Sequence, residues 1–238
     1  MSNKKVKRLH DTLYLKENRY KRPKESSKIL YALIKKNLKK RNKQKLLDIG
    51  CATGEFVYFI NSKFKNIDIT GLDILPSLLK KAQMKNPGMK FLKKNIDSKK
   101  FFLKNKYDII TMNGVLSIFD NFERTLNNIL KMMHKNSCLF VHRHFNPYDY
   151  DVFVKYSDNK IPNLLQSGWN IFSLESIKKY CKKKKLKISI YPFNIKINLS
   201  SVKGDPVRTW TINVKKKKFF TNGLNLLLSK YFLVITKK

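Results

Sequence analysis

Past residue 44 the sequence alternates between short apolar runs and stretches with apolar residues at helical spacing, and this alternation constrains the fold most. "KLLDIG" reads as a buried strand and 53–63 as a helix. "IDITGLDI" is a second strand, and "PSLLKKAQMKN" a helix with Pro76 in its first turn, where an N–H is not needed. "MKFLKKN" is a third strand and "YDIITMN" a fourth, followed by the helix "NFERTLNNILKMMHKN" and a fifth strand, "SCLFVHRHF". Strands separated by helices pair in parallel, because a parallel neighbour requires a long crossover. Right-handed crossovers then put helices on both faces of the sheet, so the expected class is α/β, Rossmann-like.

The flanks are less regular. Residues 1–28 are polar and basic, with Tyr14 and Tyr20 as aromatic punctuation. Ile29, Leu30, Leu33, Ile34 and Leu38 then fall at helical spacing, with Ser26 or Ser27 as the expected cap. After Phe145 the rhythm changes, and residues 145–172 read as an irregular insertion. "SLESIKKYCKKKK" is a helix with Ser173 as N-cap. "KISIYPFNIKINLS" is extended, "VRTWTINV" another strand, and "GLNLLLSKYFLVITKK" a short helix followed by a final strand. The expected division is an arm and helix over 1–44, then one domain over 45–238.

With 238 residues, 42% of them hydrophobic, the chain can bury a sizeable core. No apolar run reaches the roughly 18 residues that span a bilayer, and the basic N-terminus lacks the apolar stretch of a secretory signal. Cys51, Cys138 and Cys181 lack metal-ligand spacing, so neither a metal site nor a disulfide framework is expected, and a cytoplasmic location is. The formal charge of +36 invites a nucleic-acid partner. The excess is nearly all Lys, however, spread along the chain with runs at 178–187 and 215–218. It accompanies heavy use of Asn and Ile, as an AT-rich coding sequence would produce. Nucleic acid is therefore not the favoured partner, although such a field attracts anionic ligands at low salt.

The stretch "LLDIGCATGEF" (46–56) carries the most specific chemistry. It sits at the carboxyl end of the first strand, where open parallel sheets bind ligands. The small residues Gly50, Cys51, Ala52, Thr53 and Gly54 let the backbone approach a ligand closely. G-x-G-x-x-G is absent, because Ala52 takes the middle position and Gly54 comes one residue early, and no Gly-Lys-Ser/Thr follows to make a P-loop. An acidic residue, Asp73, ends the second strand 19 residues after Gly54, where a carboxylate can accept both hydroxyls of a ribose.

Here the chain resembles the class I S-adenosylmethionine-dependent methyltransferases. "LLDIGCATG", "GLDI", "FLKKNID" and "YDIITMNGVL" look like their first four motifs, in order, within a resemblance that covers about Lys45 to Phe145. It implies a seven-stranded sheet of order 3-2-1-4-5-7-6 and S-adenosylmethionine as cofactor. It also implies that Asp48, Gly50, Cys51, Ala52 and Gly54 surround the methionine part, with Asp73 and Ile74 at the ribose. Asn95, Ile96 and Asp97 would read the adenine, and Asn113 would lie beside the sulfonium. Asn95 stands where an acid is usual, and Asp97 is the substitute.

Acceptor chemistry should cluster beyond the fourth and fifth strands. In "FVHRHFNPYDYD", alternation puts His142 and His144 on one side and Arg143 on the other. His144 is expected at the pocket as general base or orienting residue, and His142 is the second candidate. Tyr148, Trp169 and Arg208 are candidate substrate contacts, for an anionic or aromatic acceptor. Tyr14 and Tyr20 are candidates to close over the cofactor. The leading expectation is methyl transfer to O or N of a small-molecule or glycan-type metabolite. An RNA methyltransferase is the alternative, although the N/D-P-P-Y/F motif of amino-methylating enzymes is replaced by "MNGV" and Cys138 lacks the preceding Pro of a cytosine-C5 nucleophile. A binding protein without turnover is the third reading.

Overall fold

In the computed structural model, residues 9–37, 43–159, 163–215 and 217–237 are described. The 1–8 segment, Leu38 and Lys216 of the readings above lie outside them. The strands are β1 (Gln44–Ile49), β2 (Ile67–Asp73), β3 (Lys90–Lys93), β4 (Tyr107–Asn113), β5 (Met133–Asn146), β6 (Lys155–Ser157), β7 (Leu165–Ser167), β8 (Phe172–Ser173), β9 (Leu186–Pro192), β10 (Trp210–Val214), β11 (Lys217–Thr221) and β12 (Lys230–Lys237). The helices are α1 (Leu9–Thr12), α2 (Glu25–Asn37), α3 (Glu55–Lys63), α4 (Pro76–Lys85), α5 (Phe122–Leu130) and α6 (Leu174–Lys183), with a 3-10 turn over Leu13–Lys16.

The main sheet runs β3-β2-β1-β4-β5-β12-β9. β9 and β12 are its sixth and seventh strands in chain order, so the path is the expected 3-2-1-4-5-7-6. The short β8, pairing with β5, adds an eighth strand off that path. The first five strands are parallel, and β12 inserts antiparallel between β5 and β9. Apolar side chains from both sheet faces form two cores. One gathers Leu47, Ile110, Leu126, Ile129, Val141, Phe172 and Ile177, and the other gathers Leu30, Ile34, Val57, Ile60, Phe140 and Val234. Helices cover both faces because each buries one apolar stripe against a sheet that is itself apolar on both sides.

Several local readings are corrected. α2 begins at Glu25, so Ser26 and Ser27 lie in its first turn and do not cap it; Ser27 N–H donates to Lys24 O. α5 ends at Leu130, and of the "MMHKN" read as its last turn, Met132 is a turn and residues 133–136 already belong to β5, whose Met133 pairs with Tyr107. Residues 223–229 form turns, not a short helix, and Leu228 bridges to Phe220. Ser173 does cap α6, accepting from Ser176 N–H at 2.8 Å. Besides the insertion at 145–172, a second one separates β9 from β12 and carries the β10–β11 hairpin. The segment before α2 folds back on the main body: Tyr20 Oη donates to Thr53 O at 2.7 Å, and Lys81 Nζ donates to Leu15 O and Glu17 O.

Candidate functional site

At the carboxyl ends of the parallel strands lies a cavity of about 1470 Å³. Pockets for one small ligand run roughly 300–1,000 Å³, so this one has room for two molecules side by side. The turn after β1, the ends of β2, β4 and β5, the N-terminal arm and both insertions form its walls.

The glycine turn has a steric cause. Gly50 (φ 72°) and Gly54 (φ 79°) take left-handed backbones, and a Cβ on Gly50 would lie 2.1 Å from Val115 Cγ2. Gly54 leads directly into α3, and its N–H donates to Cys51 O at 2.8 Å. Between them Ala52 also takes a positive φ, 47°. Its N–H donates to Asp73 Oδ2 at 2.9 Å, and Leu75 N–H donates to Asp73 Oδ1 at 3.0 Å. The Ile74 N–H adds a third backbone donor, so the carboxylate keeps lone-pair capacity for a ligand hydroxyl on one side. Burial raises the Asp73 carboxyl above its ordinary range, opposed by those backbone donors.

Asp48 is more strained electrostatically. It is buried, and Thr111 Oγ1 donates to its Oδ1 at 2.7 Å. Burial lifts its carboxyl to about 7, partly opposed by Thr111 and reinforced by the Asp73 charge. Cys51 is buried beside the two acids, and burial followed by Asp48 and Asp73 pushes its thiol well up, which makes it inert packing. A buried carboxylate with no cation beside it is a poor resting state but a good receptor for a ligand cation.

Along the next wall stand Ile74, half-exposed, then Asn95, Ile96 and Asp97. Asn95 Oδ1 accepts from Asp97 N–H at 3.0 Å. The Asp97 carboxylate is held by Arg124, whose Nε donates at 2.9 Å, and by Thr125 Oγ1 at 2.9 Å. Its side chain therefore anchors α5, while Asn95 and Ile96 line the cavity beside it. Asn113 ends β4, and the following Gly114 N–H donates to His142 O at 2.8 Å.

The two histidines separate. His142 lines the cavity, stacked on Phe232 at 4.1 Å with Phe193 edge-on at 5.1 Å. Its Nδ1 lies 3.0 Å from Tyr231 O, a contact that fixes Nδ1 as the donor and Nε2 as the acceptor. Burial, then the Lys230 charge, lowers its imidazolium to about 3, so it is neutral through the physiological range. His144, the first candidate for the pocket, is 1% exposed and absent from the wall, packed behind Trp169 with rings 5.6 Å apart. β5 runs past the rim of the sheet and pairs there with β8, which carries His144 into the packed insertion. Arg143, assigned to the other side, does reach the cavity: its guanidinium lies 4.5 Å over the Trp169 ring, and its Nε donates to Ser117 Oγ at 2.6 Å.

Of the substrate candidates, Trp169 lines the cavity in a left-handed backbone, φ 66°. Tyr148 is set apart from it, 73% exposed and outside the wall. Arg208 is on the wall but already paired, with Asp205 at 2.8 Å and with Glu17. Burial works against the Glu17 charge, and Lys24 and Arg208 more than offset it, holding its carboxyl low. Tyr14 lines the cavity, whereas Tyr20 is buried outside it. Sequence reasoning missed Lys230, which opens β12 and faces the cavity. Its only visible sign was to interrupt the apolar run "LNLLLSKYFLVIT".

The sequence profile of the methyltransferase-domain family matches residues 17–188, from the arm into the start of β9. The chain belongs to this family. Its domain is of the class I, Rossmann-like, S-adenosylmethionine-dependent kind. A malonyl-[acyl-carrier protein] O-methyltransferase of Priestia megaterium is 24% identical over 154 residues, which cover 63% of this chain and 56% of that protein. The chain thus spans about half the length of this curated relative. Among solved structures, an S-adenosylmethionine-dependent methyltransferase from Clostridium acetobutylicum superposes with a TM-score of 0.60 at 12% identity, covering 96% of each chain. Magnesium protoporphyrin IX methyltransferase from Synechocystis, solved with bound S-adenosylmethionine, gives a TM-score of 0.53 at 13% identity, covering 90% of this chain and 79% of that one. Among the described residues no helix is long and apolar enough to cross a membrane.

Proposed function

We propose that the chain transfers a methyl group from S-adenosylmethionine to O or N of a small-molecule or glycan-type acceptor bound in the same cavity. The observation that carries this reading is the pairing of two buried acids, Asp48 and Asp73, on either side of the left-handed Gly50–Gly54 turn. The cofactor has a cationic ammonium and two ribose hydroxyls, and these acids offer one carboxylate for each. Asp48 would carry the ammonium, Asp73 the ribose, and Ile74, Asn95 and Ile96 the adenine. The cofactor, when bound, supplies the electrophilic methyl group.

The chain's own residues then have three tasks. Asn113, Gly114 and Val115 close the cavity at the β4 end and exclude water from the reacting groups. His142, neutral and fixed by Tyr231, offers Nε2 as an acceptor that orients a substrate hydroxyl or amine. The arm over Leu9–Lys24 and the two insertions form the acceptor side, and the strand ends of the sheet form the donor side. The O-methyl transfer for which the curated relative is named supports an oxygen acceptor.

Incubation with methyl-labelled S-adenosylmethionine and separate pools of metabolites, glycans and RNA tests the reading. Label should enter a small-molecule or glycan pool and be lost in Asp73→Ala. Label confined to RNA would favour the alternative, and an absence of transfer despite cofactor binding would leave a binding protein.

A further inference from the structure

Methyl transfer to an O–H or N–H group releases a proton, and a side chain at the acceptor end of the cavity is placed to take it. Lys230 opens β12, beside β5 in the sheet, and lines the cavity with Thr209 and Phe220 of the second insertion. Its Nζ donates to Thr209 Oγ1 at 3.2 Å and lies 3.9 Å from the Phe220 ring centroid. Among the described residues it forms no ion pair with a carboxylate. From β5, Arg143 and His142 face it and His144 pairs with it in register; from the arm comes Lys24. Arg143 is held by Ser117 Oγ and the Trp169 ring, and Lys24 by Glu17 at 3.4 Å. Arg143 Nη1 lies 3.5 Å from where a Cβ on Gly114 would be, so this wall abuts the end of β4. Burial, then the Arg143 and Lys24 charges, lowers the Lys230 ammonium from 10.5 to about 7.

An amine buried without a counter-charge sheds its proton more readily than it does in water, and a base works best when it is half-charged near the working pH. Building on the methyltransferase reading, we propose that Lys230 is the catalytic base that takes the acceptor's proton as the methyl group moves. The acceptor oxygen or nitrogen bonds to the methyl carbon while the carbon–sulfur bond breaks and leaves its electron pair on sulfur. The acceptor's proton passes to Nζ, and the ammonium so formed returns it to water once the product leaves. Thr209 fixes the amine by accepting one N–H, which leaves the nitrogen lone pair to the acceptor. His142, lowered to about 3, is too weak a base for this step, and its Nε2 holds a second polar hydrogen of the acceptor. His144 is absent from the wall.

Magnetic resonance of the full chain, labelled with carbon-13 at the lysine ε-carbon, tests the proposal first. The signal that Lys230→Met removes should titrate with a midpoint of about 6 to 8, against the ordinary 10.5. A second measurement follows label from methyl-labelled S-adenosylmethionine into the metabolite or glycan pool at a series of pH values. Wild-type transfer should climb through about pH 7, and Lys230→Met should lose at least about a hundredfold together with that climb. Lys230→Arg keeps the positive charge but stays protonated, so it should be as slow as Lys230→Met. Both variants should bind S-adenosylhomocysteine, the demethylated product, as the wild type does, which separates a lost base from a folding defect. The wild-type pH profile stands whether or not the variants fold. Transfer in Lys230→Arg near the wild-type rate would make Lys230 a charge and not a base. A midpoint near 10.5, or a wild-type rate that ignores pH, would equally overturn the proposal. Failure of S-adenosylhomocysteine to bind the wild type would strike the donor reading and the proposal with it, and the Lys230 midpoint, which needs no cofactor, tells that failure from the others.

Discussion

Ala52 occupies a left-handed backbone (φ 47°) that an L side chain adopts at a cost of roughly 1–2 kcal/mol. Its N–H is one of the donors to Asp73, so the strain is held in place by the site it serves. Ala52→Gly should leave stability unchanged or raise it by up to about 1 kcal/mol, the relief of strain being partly offset by the freer unfolded chain. Ala52→Val should lower it. Thermal unfolding decides, and destabilisation by glycine would contradict the strain argument. Asp48 gives a second test at this scale. Its carboxyl is raised from an ordinary value of 3.8 to about 7, so the folded state holds a proton that the unfolded chain releases. Stability from this group is therefore present below about pH 4 and lost as pH climbs through about 7, a change on the order of a few kcal/mol. Asp48→Asn should flatten that fall, as read by denaturant unfolding at a series of pH values. An unchanged profile would count against the buried, uncompensated acid. The glycine turn was legible in the sequence because a left-handed backbone after a strand demands glycine, and Asp73 because it ends the neighbouring strand beside that turn. His144 and Lys230 were not, because which strand-end side chain faces a cavity depends on how far β5 and β12 extend past the sheet and on what covers them.

At the scale of elements, the parallel strands could be read because each is a continuous apolar run bounded by turns, and the order of the sheet followed from the family resemblance. The errors fell where local pattern is weak. The "MMHKN" run suits either a helix end or a strand, and pairing of Met133 with Tyr107 decides it. The β10–β11 hairpin pairs with itself and not with the main sheet, so no helical or strand rhythm in "VRTWTINV" foretold an insertion. That insertion is tied to the N-terminal arm by the Arg208–Glu17 pair and by a His10–Asp205 contact at 2.8 Å. The two elements close the cavity from one side. Arg208→Met should release the arm, so that limited trypsin digestion cuts within residues 15–24 several-fold faster. Digestion at the wild-type rate would mean that the ion pairs do not hold the arm.

For the molecule as a whole, the formal charge of +36 sets a field but not a partner. If the lysines are compositional, RNA should bind weakly and be released by about 200 mM salt, with affinity falling steeply on a log–log plot against salt. Tight RNA binding that persists there would instead favour the nucleic-acid alternative. The sheet, the two acids and the glycine turn form one end of a cavity whose other end is lined by Arg143, Lys230, His142 and Trp169. The central claim is that the first of these ends is a receptor for S-adenosylmethionine, and calorimetry with S-adenosylhomocysteine tests it most directly. The expected result is one-site binding that weakens by about 1–3 kcal/mol in Asp73→Ala, as loss of a charged acceptor's hydrogen bonds requires. No heat of binding, or an affinity unmoved by the loss of Asp73, would contradict it.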